Sequence, residues 1–315
     1  MLITEFEMIH LRTFDNGLTL IIEPISSVAS CSMQWLVPAG TSHEPDSRVG
    51  ITSVLAEMLF RGAGKRDSRT LSDDMDRIGL GRDCGVSGPH SWFMGTVLGN
   101  FIEPAMELAS DILLRPALPA EGLEASRSLC QQAIDSLEDE PQQEAMLYVQ
   151  RRHRPVPFNR SSYGMMDVVQ SVTREELAAF CQMHFVPEGS ILGLAGDVDP
   201  DAVTTLVERL VSSWSGSCPE PVAQGSPLAG KGHVQRESAQ VHVAMAWEAP
   251  PAGSKTAILE RLATRILGGA TSGRLFTEVR QRRSLCYSVS ATYRARRDVG
   301  EISLYAGTTP ERASE

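Results

Sequence analysis

Gly50-Ile51-Thr52-Ser53-Val54-Leu55-Ala56-Glu57-Met58-Leu59-Phe60-Arg61-Gly62 carries apolar side chains at 51, 54, 55, 58 and 59. That i, i+3, i+4, i+7, i+8 spacing is one face of an amphipathic helix. Just upstream, residues 32–38 alternate: Met33, Trp35 and Val37 fall on one side, Ser32, Gln34 and Leu36 on the other. Period two predicts a strand with a buried face. A strand followed by a helix therefore anchors the fold.

Outward from this pair, residues 18–25 follow the turn dipeptide Asn16-Gly17 and read as another strand. A helix is predicted near 71–78, closed by Gly79, then strands within 85–98 and a helix over 104–114. Helical patterning covers 120–151 with a break at Pro141. Thr173 followed by Arg174-Glu175-Glu176 has the form of an N-cap and an acidic first turn. Residues 191–196 form a short apolar strand, and Asp199-Pro200 opens one more helix. The order is α+β and lacks the regular βαβ rhythm of a doubly wound sheet.

Residues 215–231 are rich in Gly, Pro and Ser. Beyond them the same order returns: a strand at 241–247, helices at 256–267 and 275–282, and strands at 286–293 and 301–306. Cys84 then corresponds to Cys286 and Gly99 to Gly307, as expected of an internal duplication. The expected layout is a first domain at 1–214, a linker at 215–235 and a second domain at 236–315. Only eight residues follow Gly307. The second copy is therefore expected to be truncated, leaving an incomplete sheet.

Composition narrows the class. Of 315 residues 42% are apolar, and 29 basic against 39 acidic groups leave a net charge of −10. Nucleic acid and anionic membranes are excluded as the main partner. No apolar run reaches the length of a membrane span. Met1-Leu2-Ile3-Thr4-Glu5-Phe6-Glu7 lacks the basic flank and apolar core of a signal peptide, so a cytoplasmic location is expected. The cysteines at 31, 84, 130, 181, 218 and 286 form no C-x-x-C pair and read as reduced, mostly buried thiols. His10 and His43 have no partner at ligand spacing and read as loop or surface histidines. Gly268-Gly269 reads as a helix cap and turn.

Val37-Pro38-Ala39-Gly40-Thr41-Ser42-His43-Glu44-Pro45 with the helix at 50–62 resembles the start of insulinase/pitrilysin-family zinc peptidases. In that family the helix carries H-x-x-E-H. Here Ser53 stands at the first His, Ala56 at the Glu and Glu57 at the second His. Two imidazoles four residues apart on one helix face hold zinc, and the Glu activates its water. Ser53 and Ala56 can do neither. The family's remaining Glu ligand falls at Ala133, or at Gln132 if the register slips. The resemblance thus implies a chain without catalytic zinc, with the metal expected only in a partner subunit.

Tyr163-Gly164, Leu194-Ala195-Gly196-Asp197-Val198-Asp199 and the run from Ile266 to Phe276 are similar to further family segments. In the family pattern R-x-x-x-x-L-G-Y, an Arg and a Tyr contact the scissile region. Arg280 and Tyr287 fit that spacing, with Cys286 in place of Gly. A guanidinium and a phenol are donors suited to a developing oxyanion. The alternative for this pair is structural, with Arg280 on a solvated basic helix end and Tyr287 in a strand core.

The resemblance implies two similar insulinase-like domains, each a mainly antiparallel sheet packed with helices. It also implies a non-catalytic subunit of a heterodimeric peptidase, working with an H-x-x-E-H subunit on unfolded peptide. The second reading is an inactive pseudo-peptidase serving as a scaffold or peptide-binding module. A fragment of a longer chain is the third.

Overall fold

The computed structural model describes residues 9–228, 230–297 and 299–315. The segment Met1 to Glu7, read above for targeting features, lies outside the described residues. The chain forms two compact units, one of residues 1–134 and 160–223, the other of 135–159 and 224–315. Residues 135–159 fall within the 1–214 span expected for the first domain, yet they pack with the second unit.

In chain order the elements are β1 (His10–Thr13), β2 (Thr19–Pro24), β3 (Ser30–Val37), α1 (Ile51–Leu59), β4 (Gly62–Ala63), β5 (Arg66–Asp67), α2 (Ser68–Arg77), β6 (Gly81–Val86) and β7 (Ser91–Leu98). There follow α3 (Ile102–Leu114), α4 (Ala120–Asp135), α5 (Pro141–His153), α6 (Met166–Ser171), α7 (Arg174–His184), β8 (Ile191–Gly196) and α8 (Pro200–Val211). The first unit's sheet has the order β1-β2-β8-β3-β7-β6, and only β2 and β8 run parallel. Along β3 the expected alternation holds, with Cys31, Met33, Trp35 and Val37 buried and Ser32 and Gln34 exposed. Trp35 is fully buried and meets the edge of Trp214, ring centroids 5.8 Å apart. Burying such aromatic bodies dominates core energetics.

α1 lays Ile51, Val54, Leu55, Met58 and Leu59 into this core. Its start is fixed by two devices. Gly50 has φ 117°, and a side chain on it would strike Gly164, which itself has φ 78°. The two glycines touch because neither carries a Cβ. The second device is Glu44, whose Oε1 accepts from the Gly50 and Thr52 amides (3.0 and 3.1 Å) and from the Thr52 hydroxyl (2.6 Å). Those amides are donors that a helix cannot satisfy internally. At α7 a capping box does the same work: Thr173 Oγ1 accepts from the Glu176 amide, and Glu176 accepts from the Thr173 amide.

The second unit adds β9 (Val241–Ala249), α9 (Ala257–Gly268), a π-helical turn (Phe276–Arg282), β10 (Ser288–Ala295) and β11 (Gly300–Thr308). Its sheet order is β10-β11-β9, antiparallel throughout. In the first unit β7 lies between β3 and β6, and here β11 lies between β9 and β10, so the repeated order extends to strand pairing. Just past the end of α5, the Arg154 guanidinium donates twice to Glu301 of β11 (2.8 and 3.1 Å). On α9, Ile258, Leu259, Leu262 and Ile266 are exposed, as are Met245 and Trp247 on β9. A helix was expected at 275–282, but the chain winds there as a π-helix, wider than an α-turn. The fold is α+β, with two similar halves, each a mainly antiparallel sheet packed with helices. No helix among the described residues is long and apolar enough to cross a membrane.

Candidate functional site

The outward face of α1 carries the positions that matter. Ser53 is half-buried and its hydroxyl donates to the Ser162 carbonyl at 2.6 Å, so it acts as a tether. Ala56 offers a methyl, and its carbonyl accepts from the Cys84 thiol at 3.3 Å. Glu57 is exposed. Its charge acts on two thiols, Cys84 on β6 and Cys130 on α4. Burial pushes each up to about 12, and the Glu57 carboxylate adds to the rise. Both stay protonated at neutral pH and are poor nucleophiles. Ala133, one helical turn beyond Cys130, is exposed, as is Gln132.

A cavity of about 620 Å³ opens beside Ala56 and Glu57, walled by Ser72 and Met75 of α2 and by Arg82 and Cys84 of β6. The outer edge of β6 has no strand partner among the described residues. A zinc ion in a catalytic site needs about three protein ligands. Here a tethered hydroxyl, a methyl and one carboxylate occupy the helix, and the α4 position is a second methyl. The residues present do not fit the metal.

In the second unit Arg280 lies in the π-helical turn, its guanidinium 4.7 Å above the Phe276 ring. Tyr287 precedes β10, its amide donating to the Gly307 carbonyl at 3.1 Å. A side chain on Gly307 would meet the Tyr287 ring, so glycine makes room for it. Tyr287 is 40% exposed and Arg280 is exposed as well. Burial and the neighbouring Cys286 raise its phenol, which keeps its proton and remains a donor. Between them Cys286 is buried. Burial lifts its thiol and the Arg280 charge opposes the rise.

Elsewhere in the first unit three side chains come together that sequence spacing kept apart. His43, His184 and Cys218 have ligand atoms all within 4.8 Å of one another. The Cys218 Sγ lies 3.3 Å from His184 Nδ1 and 3.4 Å from His43 Nδ1. His43, read from sequence as a loop histidine, is half-buried. Burial lowers it to about 4, helped by the charges of His184 and His90. Burial lowers His184 and raises Cys218. His10 is exposed, as expected, and all six cysteines are free thiols.

The model of the insulinase family (peptidase family M16) matches residues 20–156, and that of the peptidase M16 inactive domain matches residues 171–315. An uncharacterized zinc protease of Mycobacterium tuberculosis is 28% identical over 313 residues, covering 96% of this chain and 71% of that protein. One of Bacillus subtilis is 22% identical, covering 96% and 74%. The crystal structure of a peptidase M16 inactive domain from Pseudomonas fluorescens superposes with a TM-score of 0.88 at 19% identity, covering 96% of this chain and 75% of that one. A protease from Helicobacter pylori gives 0.85 at 18%, covering 97% and 76%. With two models of this family together matching most of its length, the chain belongs to the insulinase family of peptidases.

Proposed function

We propose that this chain is the non-catalytic, Arg/Tyr-supplying subunit of a heterodimeric insulinase-like zinc peptidase. The observation that carries this reading is α1 itself. The helix buries its apolar face and its first amides are held by Glu44, yet Ser53, Ala56 and Glu57 cannot hold or use a catalytic zinc. Arg280 and Tyr287 remain solvent-accessible donors. In this role they meet negative charge developing on the scissile carbonyl oxygen, while metal and nucleophile come from an H-x-x-E-H subunit. The open edge of β6 beside the α1 cavity supports unfolded peptide as the substrate class, because an extended segment can add to an unpaired strand.

The experiment is reconstitution with the H-x-x-E-H chain that co-purifies from the native source. A quenched fluorescent unfolded peptide is expected to be cleaved rapidly by the equimolar mixture and at least about tenfold more slowly by the partner alone. Equal rates for mixture and partner would overturn the subunit role and leave the scaffold reading.

A further inference from the structure

We propose that His43, His184 and Cys218 form a transition-metal site, separate from the degenerate zinc helix, that takes zinc or a zinc-like divalent cation. The three residues come from distant parts of the chain. His43 ends a short turn at Thr41–His43, His184 ends α7, and Cys218 lies in the segment that leaves α8. A tetrahedral ion about 2.3 Å from sulfur and about 2.1 Å from nitrogen sets the S···N separation near ~3.6 Å. The observed S···N distances of 3.3 and 3.4 Å need a slight opening, and the two imidazole nitrogens, within 4.8 Å of each other, would settle at about 3.4 Å around the ion. The two imidazole rings are tilted at 64° with centroids 5.4 Å apart, so both Nδ1 atoms turn toward the sulfur without stacking.

Packing and hydrogen bonds hold the surroundings of the three ligands. Phe180 packs on the His184 ring at 4.4 Å. Ser42 Oγ donates to the Gly88 carbonyl at 2.7 Å, holding the turn that carries His43. The Trp214 indole N–H donates to the Phe185 carbonyl at 2.9 Å, which ties the Cys218 segment to the end of α7. His43 and Cys218 are half-buried, so the cluster is reachable from solvent. Two imidazoles and one thiolate are a borderline-to-soft donor set, which excludes calcium and magnesium and suits zinc, cobalt or copper. On binding, the Cys218 S–H bond breaks, the proton leaves to solvent, and a metal–sulfur bond forms with no change of oxidation state. The fourth position is left to water. Such an ion would clip the segment after α8 to the turn after β3.

This inference departs from the expectation that the chain holds no metal, which rested on the α1 and α4 positions. It stands independently of the proposed subunit role. The test uses the full chain, reduced and stripped with chelator, then titrated with cobalt(II) and competed with zinc(II). The expected result is one cobalt per chain with a thiolate-to-cobalt charge-transfer band, displaced by zinc, and a rise in Tm of several degrees. Cys218→Ser should abolish the band and weaken binding at least about 100-fold, and His184→Asn should weaken it at least about tenfold, while Cys84→Ser leaves both unchanged. Circular dichroism of the metal-free variants confirms folding. Failure of the wild-type chain to take up cobalt at micromolar concentration would overturn the proposal and leave a hydrogen-bonded trio. Uptake with an unchanged band in Cys218→Ser would overturn it too.

Discussion

In the reconstituted pair, Arg280→Ala is expected to lower kcat by about 100-fold, the usual cost of removing one oxyanion donor. The side chain is exposed and its one ring contact is with Phe276, so truncation should cost little folding stability. Assembly, read by size exclusion, should be unchanged, and the loss should fall on kcat with KM held nearly constant. Lysine at this position should rescue poorly, because its point charge lacks the planar fork of the guanidinium. Tyr287→Phe removes one donor hydroxyl from a phenol that keeps its proton, and a smaller loss of about tenfold is expected. A reconstituted pair in which Arg280→Ala turns over normally would remove the Arg/Tyr pair from the chemistry and favour the scaffold reading.

The largest effect on stability should come from Glu44→Ala. Its carboxylate is buried and takes three hydrogen bonds at the start of α1. Truncation leaves the Gly50 and Thr52 amides without that acceptor, at a cost of about 3 kcal/mol. For a unit of this size that lowers Tm by roughly 6–12 °C in a thermal melt. The same residue gives a pH signature. Burial pushes its carboxyl up to about 7, although the bonds from Thr52 and Gly50 and the Arg160 charge pull the other way. Between the unfolded value of about 4.5 and 7 the folded state holds a proton that the unfolded chain has lost. Its contribution to stability is thus full below about 4.5, falls as pH rises through that window, and is gone above 7. Glu44→Gln should flatten this part of the stability–pH curve. An unchanged slope in that variant would show that the carboxyl titrates normally.

Much of this was legible in the sequence where local patterns carry the information. The alternation at 32–38 gives β3, and the stripe from Ile51 to Leu59 gives α1. Thr173 and Asp199 mark their helices as caps, and both accept the expected backbone amides. Other features depend on contacts that no local pattern encodes. The π-helical turn at Phe276–Arg282 spans seven residues, too few for periodicity to separate it from an α-helix. Glu44 caps α1 from six residues before Gly50, outside the usual capping window. His43, His184 and Cys218 meet only because β3, α7 and the segment after α8 converge, so ligand spacing along the chain is silent about them. The glycine of Tyr163-Gly164 was visible as a motif, but its physical reason, contact with Gly50, needed the fold.

α1 is folded and packed, yet its outward positions Ser53, Ala56 and Glu57 supply no ligand set for a catalytic zinc. The purified chain, assayed alone against an unfolded peptide with saturating zinc, is therefore expected to hydrolyse it no faster than the buffer blank, in the wild type and in Cys218→Ser alike. Chelator-sensitive turnover by the isolated chain, lost when Glu57 is replaced by Ala, would contradict it.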